Sequence, residues 1–316
     1  MTDGRAAEDG RRTMVHGIAR VSSLSQAITR MWGNDTSIIR RTPIAGGDIN
    51  EAYGLELTDG SCVFMKRNRT EARSFFEAEA AGLCAIAQTG TIRTPRILCL
   101  GTEEGEGGYS FLLLEYVTGG SSDSHYWETF AHQLADMHRA PTDGFVGEGR
   151  YGFCEDNYIG RTKQKNAARD SWVTFFRDCR LEPQFQRARQ YFSTEEEKKA
   201  AWLLAHLDEY LTEPEHPSLL HGDLWSGNVM AGNDGKAWLI DPAVSVGHAE
   251  ADIAMTELFG GFPKKFYAAY RESGLQQPGY ERRRDLYNLY HLLNHLNLFG
   301  GAYLSSVKQI LRKYVS

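Results

Sequence analysis

The sequence predicts an α+β protein of two lobes, a small β-rich N-terminal lobe and a larger, mainly α-helical C-terminal lobe. Three observations lead there. Short β-forming runs separated by Gly-rich turns fill the first third of the chain, with few helical patterns among them. Beyond the stretch Thr118-Gly119-Gly120-Ser121-Ser122, apolar residues recur instead at spacings of three and four. A length of 316 residues, with 41% hydrophobic content, suits two modest cores. The expected boundaries are a flexible tail over 1–21, an N-terminal lobe over 22–117 and a C-terminal lobe over 118–316.

Taken in order, the first twenty residues mix Gly, Arg, Asp and Glu without a period, as a tail does. Leu24, Ala27, Ile28 and Met31 then give helical spacing that stops at Gly33-Asn34. Strand segments flank the turn Ala45 to Asn50. That turn lacks the Gly-Lys-Ser/Thr ending of a Walker loop, yet Gly46, Gly47 and Asn50 can bring backbone N–H groups close to phosphate oxygens. Cys62-Val63-Phe64-Met65-Lys66 reads as a strand ending in a lone lysine, and Phe75 to Ala87 as a helix with Phe76, Ala80, Leu83 and Ala87 on one side. A strand lysine held by a glutamate of the next helix points an ammonium at the α- and β-phosphates of a nucleotide. The apolar stripe makes Glu79 the expected partner of Lys66, with Glu77 as its competitor. Ile97–Leu100 and Tyr109–Val117 read as a hairpin, and the backbone at Glu115 and Val117, at the lobe boundary, stands where an adenine edge would be met.

In the C-terminal part, Trp127 to His138 and the ranges 170–178, 194–211 and 280–298 carry helical spacing. Between them lies His221-Gly222-Asp223-Leu224-Trp225-Ser226-Gly227-Asn228, followed thirteen positions later by Asp241 in Leu239-Ile240-Asp241-Pro242. A hydroxyl attacking a γ-phosphate needs a carboxylate to orient it and take its proton, and further oxygen ligands for Mg²⁺. Asp223 suits the first role. Asn228 and Asp241 suit the second, with Asp241 on the far strand of a hairpin turning at Gly232-Asn233-Asp234-Gly235. Each residue alone is an ordinary turn former; the order Asp-x₄-Asn-x₁₂-Asp between apolar strand residues carries the reading. Protein kinases place an arginine where this chain has Gly222, and little chain separates Asp241 from the helical pattern at Ala251, so a small-molecule acceptor is expected.

A net charge of −6 excludes general nucleic-acid binding, which needs clustered cations to release counterions. Five scattered cysteines form no CxxC pair, which suits a reducing cytoplasm rather than a zinc or dithiol site. No apolar run approaches membrane-spanning length, so a cytoplasmic protein is expected. His291 and His295, one turn apart without the glutamate of a zincin, read as packed or surface residues. Nothing in the pattern points to an oligomeric state.

The catalytic loop with Trp225 inside it, the Ile240-Asp241-Pro242-Ala243 segment and the block Gly247-His248-Ala249-Glu250-Ala251-Asp252 through Phe262 together resemble the fructosamine kinase (ketosamine-3-kinase) family, related to aminoglycoside and choline phosphotransferases. The segment Asn157 to Thr162 with Gln164 and Asn166, then Trp172, Phe175-Phe176 and Arg180-Leu181, adds to the likeness. Lys163 and Lys165 stand where the family pattern suggests prolines, and Asp48 where many relatives carry a cysteine, which speaks against redox control at that loop. The resemblance implies a protein-kinase-like fold and ATP- and Mg²⁺-dependent phosphorylation of the 3-hydroxyl of a ketosamine, free or protein-bound, after which the phosphate is eliminated and the amine freed. It implies Asp223 as base, Asn228 and Asp241 as metal ligands, Lys66 on the phosphates and Trp225 as a flat face for the sugar. For His248 and Glu250 two readings stay open, sugar contacts or stabilisers of a helix start. The alternative activity is another small-molecule phosphotransferase of the aminoglycoside or choline kinase type.

Overall fold

Strand alternation in the N-terminal part decides which side chains face which helix, and so where Lys66 points. The computed structural model describes residues 15, 17–45, 49–146 and 149–315, and in it the chain forms two compact units. The first takes in Arg12–Asp123 and Met230–Asp241, the second Ser124–Val229 and Pro242–Ser316.

The first unit runs β1 (Ala19–Val21), α1 (Leu24–Trp32), β2 (Ile38–Ile44), β3 (Glu51–Leu57), β4 (Cys62–Arg69), α2 (Arg73–Thr89), β5 (Ile97–Glu103) and β6 (Tyr109–Glu115). Its sheet has the order β1-β5-β6-β4-β3-β2, antiparallel throughout except that β1 lies parallel to β5 with Ala19 opposite Cys99. The sheet therefore begins inside the segment expected as a tail over 1–21. Three residues are too few to show a period, but Val21 joins the core and its neighbours take a free sheet edge. Ser23 caps α1 by accepting the Gln26 N–H at 3.0 Å. Leu24, Ala27 and Ile28 of that helix pack with Leu55, Leu57, Val63, Met65, Cys99, Phe111 and Leu113 of the sheet. Lys66 follows Met65 in β4, so the two-residue period turns it away from α1. On that side α2 lies along β5 and β6, burying Phe76, Ala80 and Leu83.

The second unit opens with α3 (Tyr126–Arg139), then the hairpin β7 (Asn157–Ile159) and β8 (Thr162–Gln164). α4 (Trp172–Phe176) passes through a π-helical turn, Arg177–Leu181, into α5 (Glu182–Arg187), so the helix expected over 170–178 runs on further. α6 (Thr194–Ala205) begins in a reciprocal capping box between Ser193 and Glu196 and stops short of the expected 211. β9 (Ser218–Leu220) leads into the motif loop. The hairpin of β10 (Val229–Ala231) and β11 (Ala237–Leu239) then carries the chain back to the first unit. Inside that unit the Gly120 N–H donates to the Ala231 carbonyl at 2.9 Å, the Leu239 N–H donates to the Arg93 carbonyl at 2.9 Å, and Arg93 pairs with Asp234 at 2.8 Å. These bonds explain why 230–241 groups with the N-terminal unit, whereas the sequence places all of 118–316 together. β12 (Ser245–Gly247) pairs antiparallel with β9, and α7 (Glu250–Leu258), α8 (Lys264–Glu272), α9 (Tyr280–Phe299) and α10 (Leu304–Tyr314) complete the unit. Among the described residues no helix is long and apolar enough to cross a membrane.

Candidate active site

The two units each carry part of the predicted constellation. In the first, Lys66 Nζ lies 2.7 Å from Glu79 Oε1 and also pairs with Asp241 Oδ1. The competitor Glu77 pairs instead with Arg20 and, at 3.1 Å, with Arg73. Burial alone would pull the Lys66 ammonium below its ordinary value, but Asp241 and Glu79 override it and hold the group above that value. The lysine stays charged, and the cost falls on Glu79. Burial pushes the Glu79 carboxyl up to about 7 against the pull of Lys66, with the Asp241 carboxylate adding to the rise.

Asp241 has φ 55°, the one non-glycine left-handed residue among the described ones. Aspartate tolerates that region better than most residues, though such backbone typically stores about 1–3 kcal/mol and gathers at functional sites. Its side chain remains 40% exposed while one oxygen holds Lys66. Asn50 accepts from Asn68 at 2.8 Å, which fixes the end of the loop before β3. Gly46, Gly47 and Asp48 lie outside the described residues. The Glu115 N–H donates to the Arg96 carbonyl at 2.9 Å, so that N–H is already engaged within the unit. Val117 follows two residues beyond the end of β6.

In the second unit the motif loop is pinned by its backbone. The His221 and Gly222 N–H groups donate to the two oxygens of Asp252, at 2.7 and 2.9 Å. His138 donates from Nε2 to the same carboxylate at 3.2 Å and accepts the Tyr270 hydroxyl at Nδ1, 2.6 Å away. Burial would raise the Asp252 carboxyl, but His138 and the loop amides hold it below the usual carboxylate range. Opposite, the Ala243 N–H donates to the His221 carbonyl at 2.8 Å. Gly222 has φ 82°, and a Cβ there would collide with the Ala243 carbonyl, so only glycine fits.

That clamp sets the side chains that follow. Asn228 donates from Nδ2 to the Asp223 carbonyl at 2.8 Å and to Asp223 Oδ2 at 3.1 Å, fixing the carboxylate and turning its own amide oxygen the other way. Trp225 is 38% exposed and meets Phe259 edge-on at 6.5 Å. The resemblance segment lies beneath: Asn157 donates to the Val244 carbonyl at 2.8 Å, Gln164 to the Ala243 carbonyl at 3.1 Å, and the Tyr290 hydroxyl to Gln164 Oε1 at 2.5 Å. His248 and Glu250 are buried structural groups. Glu250 takes a double hydrogen bond from Arg283, at 2.7 and 2.8 Å, while burial drives the His248 imidazole down to about 3. His291 is packed and likewise pushed down to about 3 by burial.

Sequence reasoning singled out Asp223, Asn228, Lys66 and Asp241 but gave no role to Asp252, His138 or Gln164. A signal was present for Asp252, a carboxylate running into Ile253-Ala254-Met255 on a helix buried almost throughout.

Comparison with known proteins agrees over nearly the whole chain. The sequence profile of the family described as "Fructosamine kinase" matches residues 20–316. A probable ketoamine kinase of Synechocystis is 39% identical over 301 residues, covering 95% of this chain and 98% of that protein. A chloroplastic protein-ribulosamine 3-kinase of Arabidopsis thaliana is 38% identical, covering 93% and 90%. A solved structure of a candidate fructosamine-3-kinase from Haemophilus somnus superposes with a TM-score of 0.80 at 29% identity, covering 93% of this chain and 97% of that one. The fold is the protein-kinase-like α+β architecture of small-molecule phosphotransferases.

Proposed function

This chain belongs to the fructosamine kinase family, and we propose that it transfers the γ-phosphoryl group of ATP to the 3-hydroxyl of ketosamines, with both fructosamine and ribulosamine adducts as acceptors. The observation that supports the reading best is the fixed Asp223 carboxylate, held by Asn228 on a loop clamped to Asp252. A carboxylate so oriented accepts the proton of the attacking hydroxyl while the oxygen approaches phosphorus in line. Lys66, kept charged by its two carboxylates, neutralises the phosphate oxygens, and Glu79 keeps its ammonium in place. Trp225 offers the sugar an apolar face, and Glu115 and Val117 meet the adenine edge. Asn50, fixed by Asn68 at the end of the loop before β3, stands beside the turn that the sequence assigns to the phosphates.

The donor set suits magnesium: a half-exposed carboxylate at Asp241 and the amide oxygen of Asn228 are hard ligands, and these two residues would hold the ion. Bound there, Mg²⁺ would neutralise charge on the phosphate oxygens.

The test is ADP release with ATP and Mg²⁺ on fructoselysine and ribuloselysine, beside kanamycin, choline and free sugars, with ³¹P NMR locating the new phosphate. A sugar 3-phosphate formed from the ketosamines alone is the expected result. Activity confined to kanamycin or choline would keep the phosphoryl-transfer centre and overturn the acceptor.

A further inference from the structure

Two of the large exposed apolar side chains in the second unit, Trp225 and Phe299, are the ends of one line of rings. From Trp225 on the motif loop the line steps 6.5 Å to Phe259 in the turn after α7, 4.8 Å to His295 on α9 and 5.5 Å to Phe299 at the end of that helix. Tyr303 flanks the outer part, 5.1 Å from His295 and 6.5 Å from Phe299. The inner rings are partly buried, whereas Phe299 keeps 53% of its surface in water. His295 donates from Nδ1 to the His291 carbonyl at 2.8 Å, which fixes its ring, and burial holds it below its ordinary value, so it adds no positive charge. An aromatic strip of this extent gains nothing from exposure and marks a binding surface.

Its starting point indicates what covers it. Trp225 lies two residues from Asp223, so a molecule lying along the strip from its inner end is continuous with the acceptor. The three steps correspond to at most roughly five residues of extended chain at 3.3 Å each. A free sugar–amine adduct fills only the inner end. Resting on the ketosamine reading above, we propose that the strip Trp225–Phe259–His295–Phe299–Tyr303 docks an extended polypeptide that carries the ketosamine on a lysine side chain and has apolar residues close to that lysine. The lysine methylenes lie along Phe259 and His295, and a neighbouring apolar side chain covers Phe299.

Steady-state kinetics of the full chain test this, with Nα-acetyl-fructoselysine set against nine-residue peptides bearing fructoselysine beside either leucines or serines. The leucine peptide is expected to have the lower KM. Phe299→Ser should raise that KM about tenfold and erase the difference between the peptides, with the acetylated amino acid as internal reference. Phe299→Leu, which keeps an apolar side chain and guards against a folding defect, should restore most of the preference. An equal loss on peptide and free adduct would show a structural role and overturn the proposal, as would equal KM values for the two peptides. A wild-type dimer that Phe299→Ser converts to monomer, by light scattering, would assign the strip to a second copy and also overturn it. Wild-type protein inactive on every ketosamine yet active on another acceptor would instead remove the reading beneath, a result distinct from those three.

Discussion

The two units hold their chemical groups by opposite means. In the first, formal charges meet directly: Lys66 stands between Glu79 and Asp241 on a strand and helix whose packing is already set by apolar residues. In the second, the Asp223 carboxylate sits on a loop with little regular structure, and its place is fixed by backbone N–H groups donated to the buried Asp252. A regular scaffold lets a site use long side chains whose tips find each other. A loop has to be tied by its main chain, so a residue remote from the chemistry becomes as necessary as the one that performs it.

Substitutions can break this contrast. The largest effect is expected for Asp223→Ala, which should lower kcat by about 10²–10⁴-fold while Tm changes little; a turnover near that of the wild type would remove Asp223 from the base role. Lys66→Met should cost about 10²–10³-fold in kcat/KM for ATP, read from initial rates at varied nucleotide, and unaltered ATP kinetics would make the lysine a purely structural ion-pair partner. Asp252→Asn tests the tied loop. The His221 and Gly222 N–H groups go to different oxygens, and in the amide an NH2 group takes the place of one of them, so one N–H loses its acceptor, and kcat should fall about 10–100-fold together with a stability loss of about 1–3 kcal/mol. Lost stability at full activity would show that the loop keeps its shape without the clamp.

The smallest effect concerns pH. His248 and His291 are driven down to about 3 by burial, so the folded protein leaves them neutral where the unfolded chain, titrating near its ordinary 6.5, takes up protons. Stability contributed by the neutral rings is present above 6.5 and is lost as pH falls from there toward 3. At pH 5.5 each should cost about 1.4 kcal/mol. Denaturant midpoints between pH 7.5 and 5.5 measure this, and His291→Gln should flatten the decline by about half.

Much of the first unit was legible because its contacts follow from periodicity. Alternation in β4 turns Lys66 away from Met65, and the stripe Phe76, Ala80 and Leu83 turns Glu79 rather than Glu77 toward it. The motif Asp223 to Asn228 was legible through spacing, since those two residues bond across a single loop. What binds that loop to the rest was not. Asp252 is joined to it across some thirty residues of chain, and His138 reaches Asp252 from farther still. In sequence, Asp252 beside Glu250 looks like an acid at a helix N-terminus, where carboxylates are common. The strand Ala19–Val21 escaped for a different reason, because a three-residue edge shows no alternation.

Gly222 has one more consequence, for what this enzyme can become. The position before Asp223 is where the protein-kinase pattern carries the arginine that senses a phosphorylated segment. Here every side chain larger than a hydrogen atom is shut out by the left-handed backbone and by the Ala243 carbonyl facing it. No single substitution can install such a sensor without first rebuilding the backbone around it. In this chain, control through an arginine sensor at that position lies across a gap that point mutation alone does not bridge.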